Sequence, residues 1–94
     1  MESKNGGAEL QNLLEKMVED YGDKIYRLAV RFTGDRTQAE DLTQETFLKA
    51  YINLDRFDHS REAGPWLFKI ATNLCRNWLR DRREQPVNNI EEHG

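Results

Sequence analysis

Residues 65–83 read PWLFKIATNLCRNWLRDRR, and this stretch decides the fold. Its apolar residues recur at three- and four-residue spacing, the period of an α-helix with one buried side. Pro65 suits the first helical position, because the N–H that it lacks would be unpaired there, and Gly64 is then expected to be non-helical. We expect this helix to run to about Arg82. Its apolar side comprises Trp66, Leu67, Phe68, Ile70, Ala71, Leu74, Cys75, Trp78 and Leu79.

Two helical segments precede this one along the chain. The first begins near residue 8, is expected to bend or break at Gly22, and ends before Gly34, which is typical of the position just past a helix end. The second is predicted from Gln38 to about Asn53, because Thr37 and Glu40 fit a capping box. Its apolar residues, predicted to share one broad face, are Ala39, Leu42, Phe47, Ala50, Tyr51 and Leu54.

These segments predict an all-α fold, a compact bundle of three to four helices around one small core. A chain of 94 residues has room for one domain only. We expect a flexible N-terminus at 1–8, the domain at 9–83, and a linker or tail at 84–94. Residues 54–64 show no clear period and are expected to form a loop.

Composition excludes several classes of protein. Hydrophobic residues make up 37% of the chain and charged residues 33%, and no apolar run approaches the roughly 18 residues of a membrane span. The single cysteine, Cys75, rules out an internal disulfide or a cysteine-built zinc site, and we expect a buried, inert thiol in the reducing cytosol. His59 and His93 stand apart and no nucleophile lies beside a base, so neither catalysis nor a cofactor is predicted.

The net charge of −3 hides an asymmetry. The segment 61–83 carries six basic and two acidic residues, whereas the chain on either side of it is acidic. A basic block in an acidic protein indicates an anionic partner for that block. Charge alone favours the simpler alternative, a solvated basic helix face.

The polar side of the last helix combines two kinds of group. Its members are Lys69, Thr72, Asn73, Arg76, Asn77, Arg80 and Arg83. Lysine and arginine neutralise phosphates without regard to sequence, whereas asparagine amides can read base edges. Trp66, at the margin of this side, and Phe57 and His59, in the preceding loop, could stack on unpaired bases. Alternatively, the asparagines are ordinary surface residues, and Trp66 and Phe57 belong to the core.

A second face lies on the middle helix. Its residues, spaced to share one side, are Asp41, Gln44, Glu45, Leu48 and Ile52. Acidic and amide groups beside exposed aliphatic side chains are typical of a protein-docking face. Charged helix faces are also commonly just solvated, and this alternative stays open.

Four blocks of the chain resemble a known family. The segment 39–51, AEDLTQETFLKAY, resembles the core-binding helix of bacterial sigma factors. The segment 66–80, WLFKIATNLCRNWLR, resembles the promoter-reading helix of the extracytoplasmic-function (ECF) group. The segments 26–29 and 54–58 fit the same pattern in the same order, so the resemblance extends from about Leu10 to Arg83.

The resemblance implies region 2 of a sigma-70 family protein, which binds core RNA polymerase and melts the minus-ten promoter element without ATP. It implies that Asp41, Gln44, Glu45 and Leu48 grip the coiled coil of the largest polymerase subunit. It implies DNA binding by the loop 57–61 and by Asn73, Arg76, Asn77 and Arg80. With Trp66 and Lys69 from the aromatic and charge pattern, the candidate DNA-binding residues are Phe57, Asp58, His59, Arg61, Trp66, Lys69, Asn73, Arg76, Asn77 and Arg80. Among them, the loop 57–61 would form a pocket for a flipped base of the non-template strand together with Asn73 and Asn77. A cytoplasmic location and an anti-sigma factor as a further partner are also implied.

The chain departs from the family pattern in two places. It has Ala63, Gly64 and Pro65 before Trp66, where the family more often has phenylalanine and a polar residue. The family's second domain, which reads the minus-thirty-five element, has no counterpart here, and we therefore expect an isolated domain or a truncated chain. The alternative function is a helical protein-interaction or adaptor module without DNA binding.

Overall fold

A computed structural model describes the backbone of residues 2–93 and the side chains of residues 9–82. It contains three α-helices and one short 3₁₀ turn: α1 (Glu2–Thr33), α2 (Arg36–Ile52), the turn Leu54–Arg56, and α3 (Ala63–His93). The predicted all-α fold is confirmed, and no strand occurs within residues 2–93. The flexible N-terminus at 1–8 and the division between domain and linker stay predictions.

The helix α1 passes through Gly22 without interruption, so the expected bend is wrong. Buried residues lie on both sides of this glycine, with Met17 2% and Ile25 1% exposed. Their packing outweighs the cost of about 1 kcal/mol for a glycine inside a helix. The predicted end is confirmed, because Gly34 adopts a φ of 68° and its N–H donates to the Val30 carbonyl at 2.7 Å.

The cap of α2 is Asp35, and the predicted capping box at Thr37 is wrong. The Asp35 Oδ1 accepts hydrogen bonds from the N–H groups of Thr37 at 2.8 Å and Gln38 at 3.3 Å. The Thr33 hydroxyl holds Asp35 in turn, since it donates to the Asp35 carbonyl and accepts from the Asp35 N–H. The carboxylate thus satisfies two free N–H groups, and α2 already includes Thr37.

The core lies where the three helices meet. Its fully buried members include Ile25 from α1, Ala50 from α2, Leu54 from the 3₁₀ turn, and Leu67 and Ala71 from α3. A second cluster contains Ala29 from α1, Ala39 and Leu42 from α2, and Leu74 and Cys75 from α3. Both clusters draw on α1, α2 and α3, so all three helices share one interior.

Two positions of α2 differ from the prediction. Tyr51, expected on the buried face, is 52% exposed. Thr46, not expected in the core, is buried, and its hydroxyl donates to the Leu42 carbonyl at 2.7 Å. Because this bond stays within the helix, a threonine can be buried there without an unpaired polar group.

The helix α3 is longer than predicted at both ends. It begins at Ala63, so Gly64 is helical and Pro65 occupies the third position. Pro65 still lies in the first turn, where no N–H has an intrahelical partner, so the ring breaks no bond. The backbone of α3 continues to His93, beyond the expected end near Arg82. The predicted loop correspondingly shrinks to 57–62 after the 3₁₀ turn.

A glycine is needed where α1 crosses the start of α3. A Cβ placed on the buried Gly64 would lie 2.9 Å from Cε1 of Tyr21. The Tyr21 ring is held there because it meets the Phe68 ring edge-on, with centroids 6.5 Å apart and planes at 88°. The absence of a side chain at Gly64 therefore sets how closely the two helices pack.

We expect Gly64→Ala and Gly22→Ala to change stability in opposite directions. A methyl group at Gly64 forces the Tyr21 ring to move and should destabilise the fold by about 1–3 kcal/mol. A methyl group at Gly22 meets only Val18 Cγ1 at 3.6 Å, an ordinary contact, so helix propensity should stabilise the fold by about 0.5–1 kcal/mol. Urea unfolding followed by circular dichroism measures both. Equal effects of the two variants would contradict the close approach.

Candidate nucleic-acid interface

The polar side of α3 faces solvent. Lys69, Asn73, Arg76, Asn77 and Arg80 are exposed, and Thr72 is half-buried. The side chain of Arg83, the last predicted member, lies outside the described residues. We call these six described residues the α3 ridge. The opposite side of the helix carries the buried core residues, so the orientation predicted from the apolar period is confirmed for the described part of α3.

The α3 ridge is positively charged, with one local exception. The Arg80 Nε lies 3.5 Å from Oδ1 of the neighbouring Asp81, and both side chains are more than 60% exposed. Lys69 and Arg76 form no ion pair with the acidic groups of the described residues. An exposed pair such as Arg80–Asp81 contributes little and is screened by salt. All three cations therefore remain available to an anion.

The loop before α3 is ordered by polar contacts. Asp58 Oδ1 accepts from the Ser60 N–H at 3.0 Å and from the Ser60 hydroxyl at 2.7 Å, and Asp58 Oδ2 lies 3.5 Å from Arg61 Nε. His59 Nε2 lies 3.1 Å from the Leu54 carbonyl, at the 3₁₀ turn. The hydrogen bonds from the Ser60 hydroxyl and, less strongly, from the Ser60 N–H lower the pKa of Asp58. These contacts connect residues 58–61 to one another and bring His59 back to the 3₁₀ turn.

An aromatic pair lines a concavity beside this loop. The rings of Phe57 and Trp66 stack with centroids 4.5 Å apart and planes at 24°, and the His59 ring lies 5.5 Å from that of Phe57. Phe57 and Trp66 are half-buried against the core, so they belong both to the core margin and to the concavity. Its volume is about 590 Å³, and its lining residues are Arg56, Phe57, Asp58, Arg61, Glu62, Pro65, Trp66 and Lys69. We call it the loop cavity.

Asn73 and Asn77 do not line the loop cavity, contrary to the expectation that they complete it. They line a separate concavity of about 230 Å³ between α2 and α3, together with Lys49 and Asn53 of α2. Lys69 connects the two regions, because it lines the loop cavity one helical turn before Asn73. The sequence reasoning missed Lys49 and Asn53, since only the packing of α2 against α3 brings them to the asparagines.

The predicted docking face of α2 is also exposed. Asp41, Gln44 and Glu45 are accessible, and Leu48 and Ile52 are 58% and 65% exposed. Tyr51 extends the apolar part of this face. Gln44, Leu48 and Tyr51 border a groove of about 480 Å³ between α1 and α2, which is floored by Phe47. Exposed aliphatic and aromatic groups that lie together make this face a candidate protein-binding surface.

The two candidate surfaces meet between α2 and α3. Glu45 of the docking face and Asn77 of the α3 ridge line one groove, together with Lys49 and Trp78. Trp78 is half-buried and its Nε1–H donates to Gln38 Oε1 at 3.1 Å, which ties α3 to the start of α2. The two surfaces are therefore fixed relative to each other.

Three further features of the described residues bear on function: the thiol of Cys75, the grouping of possible metal ligands, and the polarity of the helices. Cys75 is 1% exposed, and burial raises the pKa of its thiol, which agrees with the expected unreactive thiol. Among the described residues, no group of three or more histidine, cysteine or acidic side chains is placed to hold a metal ion. Over the same residues, each helix is too short or too polar to cross a membrane.

We expect Ser60→Ala to raise the pKa of Asp58 toward its ordinary value of 3.8, because the variant removes the strongest hydrogen bond to the carboxylate. In the folded chain the pKa of Asp58 lies below 3.8. Asp58 therefore stabilises the fold at pH values above 3.8, and this contribution is lost as the pH falls through the lowered pKa. Carboxyl-carbon NMR titration measures the shift. Ser60→Thr keeps a hydroxyl and should keep the low pKa, and an unchanged pKa in Ser60→Ala would refute the assignment.

Comparison with known proteins gives a consistent result. Residues 17–85 match the family described as Sigma-70 region 2. The chain is 42% identical to the ECF RNA polymerase sigma factor SigW of Bacillus subtilis over 84 residues, which are 89% of this chain and 45% of that protein. It is 36% identical to SigM of the same organism over 72 residues, covering 77% and 44% of the two chains. It is 40% identical to the RNA polymerase sigma-H factor of Pseudomonas aeruginosa over 70 residues, covering 74% and 36%.

The chain spans less than half the length of these curated relatives. The match nevertheless covers α2, the loop before α3, and the whole α3 ridge. With its three-helix fold and the exposed face on each of α2 and α3, the chain belongs to the sigma-70 region 2 family, in the ECF group of sigma factors.

Proposed function

We propose that this chain is a transcription initiation module that binds core RNA polymerase and recognises and melts the minus-ten element of a promoter. The observation that carries the proposal is the α3 ridge, where exposed cations and amide groups lie together beside the aromatic wall of the loop cavity. Membership of the sigma-70 region 2 family supports it. The module acts by binding alone, without catalysis and without a cofactor.

The cations of the α3 ridge hold the strand by its phosphates. Lys69, Arg76 and Arg80 are exposed on one side of a single helix, so their charges act along one line. Contacts to phosphates set register and orientation but carry no sequence information. These three residues therefore supply affinity that falls steeply with salt.

The asparagines of the α3 ridge supply the reading of bases. Asn73 and Asn77 lie one turn apart, and each amide offers a donor and an acceptor to a base edge. Lys49 lines the same concavity and adds a cation close to both amides. A base that enters there meets amide groups and a positive charge from two helices.

The loop cavity receives a base that has left the duplex. The stacked rings of Phe57 and Trp66 provide its apolar wall, and Arg61 and Lys69 provide its charge. Stacking of a base on an aromatic side chain contributes about 1–3 kcal/mol, comparable with the few kcal/mol that unpairing and unstacking a base cost. Capture of bases can therefore offset melting without ATP.

The docking face of α2 binds the polymerase, in keeping with the coiled coil of the largest subunit that the family resemblance implies. Its acidic groups, Asp41 and Glu45, complement a basic partner, and Leu48 and Ile52 supply apolar area to bury. An anti-sigma factor that covers this face or the α3 ridge would prevent initiation.

A second candidate function is a protein-interaction module that does not bind DNA. One observation favours it, namely the exposed Leu48, Tyr51 and Ile52 on α2, which would serve a protein partner whether or not α3 binds nucleic acid. The two functions differ in what the α3 ridge does, and measurement of DNA binding separates them.

We expect Asn73→Ala and Asn77→Ala to abolish sequence preference for a fluorescent single-stranded minus-ten oligonucleotide. The loss should be about 1–3 kcal/mol of discrimination for each contacted base. Arg80→Ala should instead weaken binding to all sequences about equally and reduce the salt slope by roughly 0.7. Fluorescence anisotropy at several salt concentrations measures both effects.

The matched control for this experiment is Asn12→Ala, because Asn12 is an exposed asparagine on α1, outside both candidate surfaces. It should leave affinity and preference unchanged. Wild-type preference in both α3 asparagine variants would refute the base-reading role. No binding by the wild-type chain at any salt concentration would favour the protein-interaction module.

We expect Glu45→Lys to abolish capture of core RNA polymerase in a pull-down, because it reverses an acidic charge of the docking face. Glu19→Lys makes the same change at an exposed position of α1, outside the docking face and its groove, and should retain capture. Both residues are exposed, so the helical circular dichroism of both variants should match the wild type. Retained polymerase binding by Glu45→Lys would reject the docking role.

A further inference from the structure

A row of cations lies on α1, apart from the surfaces described so far. Lys24, Arg27 and Arg31 are spaced at i, i+3 and i+7, so they share one side of the helix, and all three are exposed. With Leu28 and Phe68 they line a concavity of about 290 Å³ between α1 and α3. We call these three residues the α1 row.

The α1 row keeps a net positive charge. Only Arg27 is paired, with its guanidinium 2.7 Å from the carboxylate of Asp23, and both side chains are at least 70% exposed. Within the described residues, Lys24 and Arg31 form no ion pair, and the nearby Asp20 is engaged by Lys16. The Lys24 ammonium lies 5.9 Å from the centre of the Tyr21 ring, a contact that leaves its charge free for an anion.

The α1 row borders the α3 ridge. On α3, Phe68, Thr72 and Arg76 follow one another at four-residue spacing, so they form one continuous line along the helix surface. Phe68 is the wall that α3 contributes to the concavity of the α1 row, and Arg76 belongs to the α3 ridge. One anion could therefore extend from the ridge onto α1.

The chemistry of the α1 row fits a phosphate backbone and not a base. The concavity has no amide side chain to read a base edge, and Phe68 is half-buried with its ring set edge-on against Tyr21. From Lys24 to Arg31 the helix rises about 10.5 Å. A row of that length can reach more than one phosphate of a strand, since each strand of B-DNA carries one charge per roughly 3.4 Å of helix axis.

We propose that the α1 row, Lys24, Arg27 and Arg31, binds the phosphate backbone of double-stranded DNA next to the melted segment. The proposal rests on the proposed function of the α3 ridge, which places the single-stranded segment beside it. The α1 row would add affinity for the junction between duplex and single strand without adding sequence preference.

The test compares three probes on the 94-residue chain: the single-stranded minus-ten oligonucleotide, the same segment extended by a duplex arm, and the blunt duplex arm alone. The variant is Lys24→Ala with Arg31→Ala, which leaves the Asp23–Arg27 pair intact. The matched control is Arg36→Ala with Arg82→Ala, which removes the same charge from exposed positions outside the α1 row and leaves the Lys16–Asp20 pair intact. Circular dichroism and thermal melting check that both variants fold.

We expect the Lys24/Arg31 variant to lose affinity for the forked and blunt probes while it binds the single strand as the wild type does. Its salt slope on these two probes should fall by about 1.8, since each neutralised phosphate contributes about 0.9. Between about 50 and about 200 mM salt, wild-type affinity for the fork should then drop roughly tenfold more than that of the variant. The control should retain the wild-type slope.

Three results would overturn the inference. The first is an equal loss of duplex affinity in the Lys24/Arg31 variant and the control, and the second is an equal loss of affinity for the single strand and the fork in that variant. The third is that the substitutions reduce binding of a polyglutamate peptide but leave binding of duplex unchanged. The last result would indicate an acidic protein as the partner. Failure of the proposed function is distinct, because it appears as absent or Asn73/Asn77-independent binding of the single strand. The blunt duplex still tests the α1 row in that case.

Discussion

The one-sided burial of α3 is the constraint on which the remaining structure depends. Leu67, Ala71 and Cys75 are at most 1% exposed, and each lies on the same side of the helix. Burying an aliphatic side chain of leucine size contributes about 1.5–3 kcal/mol, so rotation of α3 by even one residue would forfeit several such contributions. The core therefore fixes the direction in which the opposite side points, and Asn73 and Asn77 face outward from the middle of a helix although asparagine has low helix propensity.

Local polar contacts then help to fix the segments whose ends the core has placed. The Gln38–Trp78 hydrogen bond joins α2 to α3, and the contacts of Asp58 with Ser60 and Arg61 connect residues within the loop. These contacts are largely exposed and individually weak. They succeed because each acts on a segment whose ends the core has already placed, so little conformational entropy remains to be lost.

The sequence predicted the features that depend on helical periodicity. It failed where several nearby residues could cap a helix and where contacts between helices decide the structure. The buried and exposed sides of α3 were predictable, because a period of 3.6 residues is written into the sequence itself. The cap was misassigned to Thr37 because Thr33, Asp35 and Thr37 are all plausible caps and only geometry selects Asp35. The glycine predictions at 22 and 64 failed because tertiary packing overrode propensity, and Lys49 was missed because it joins Asn73 and Asn77 only when α2 packs on α3.

The one-sided burial of α3 also explains how an acidic chain can present a cationic surface. The net charge of −3 opposes approach of DNA at long range, but interactions beyond about 8–10 Å are largely screened at physiological salt. Within that distance only the nearest groups count, and Lys69 and Arg76 have no acidic partner among the described residues. The acidic groups Asp41 and Glu45 of the docking face thus lie on α2, and the cations of the α3 ridge lie on α3. Under the proposed function, polymerase and DNA would bind adjoining surfaces of the chain, which meet at the groove lined by Glu45 and Asn77.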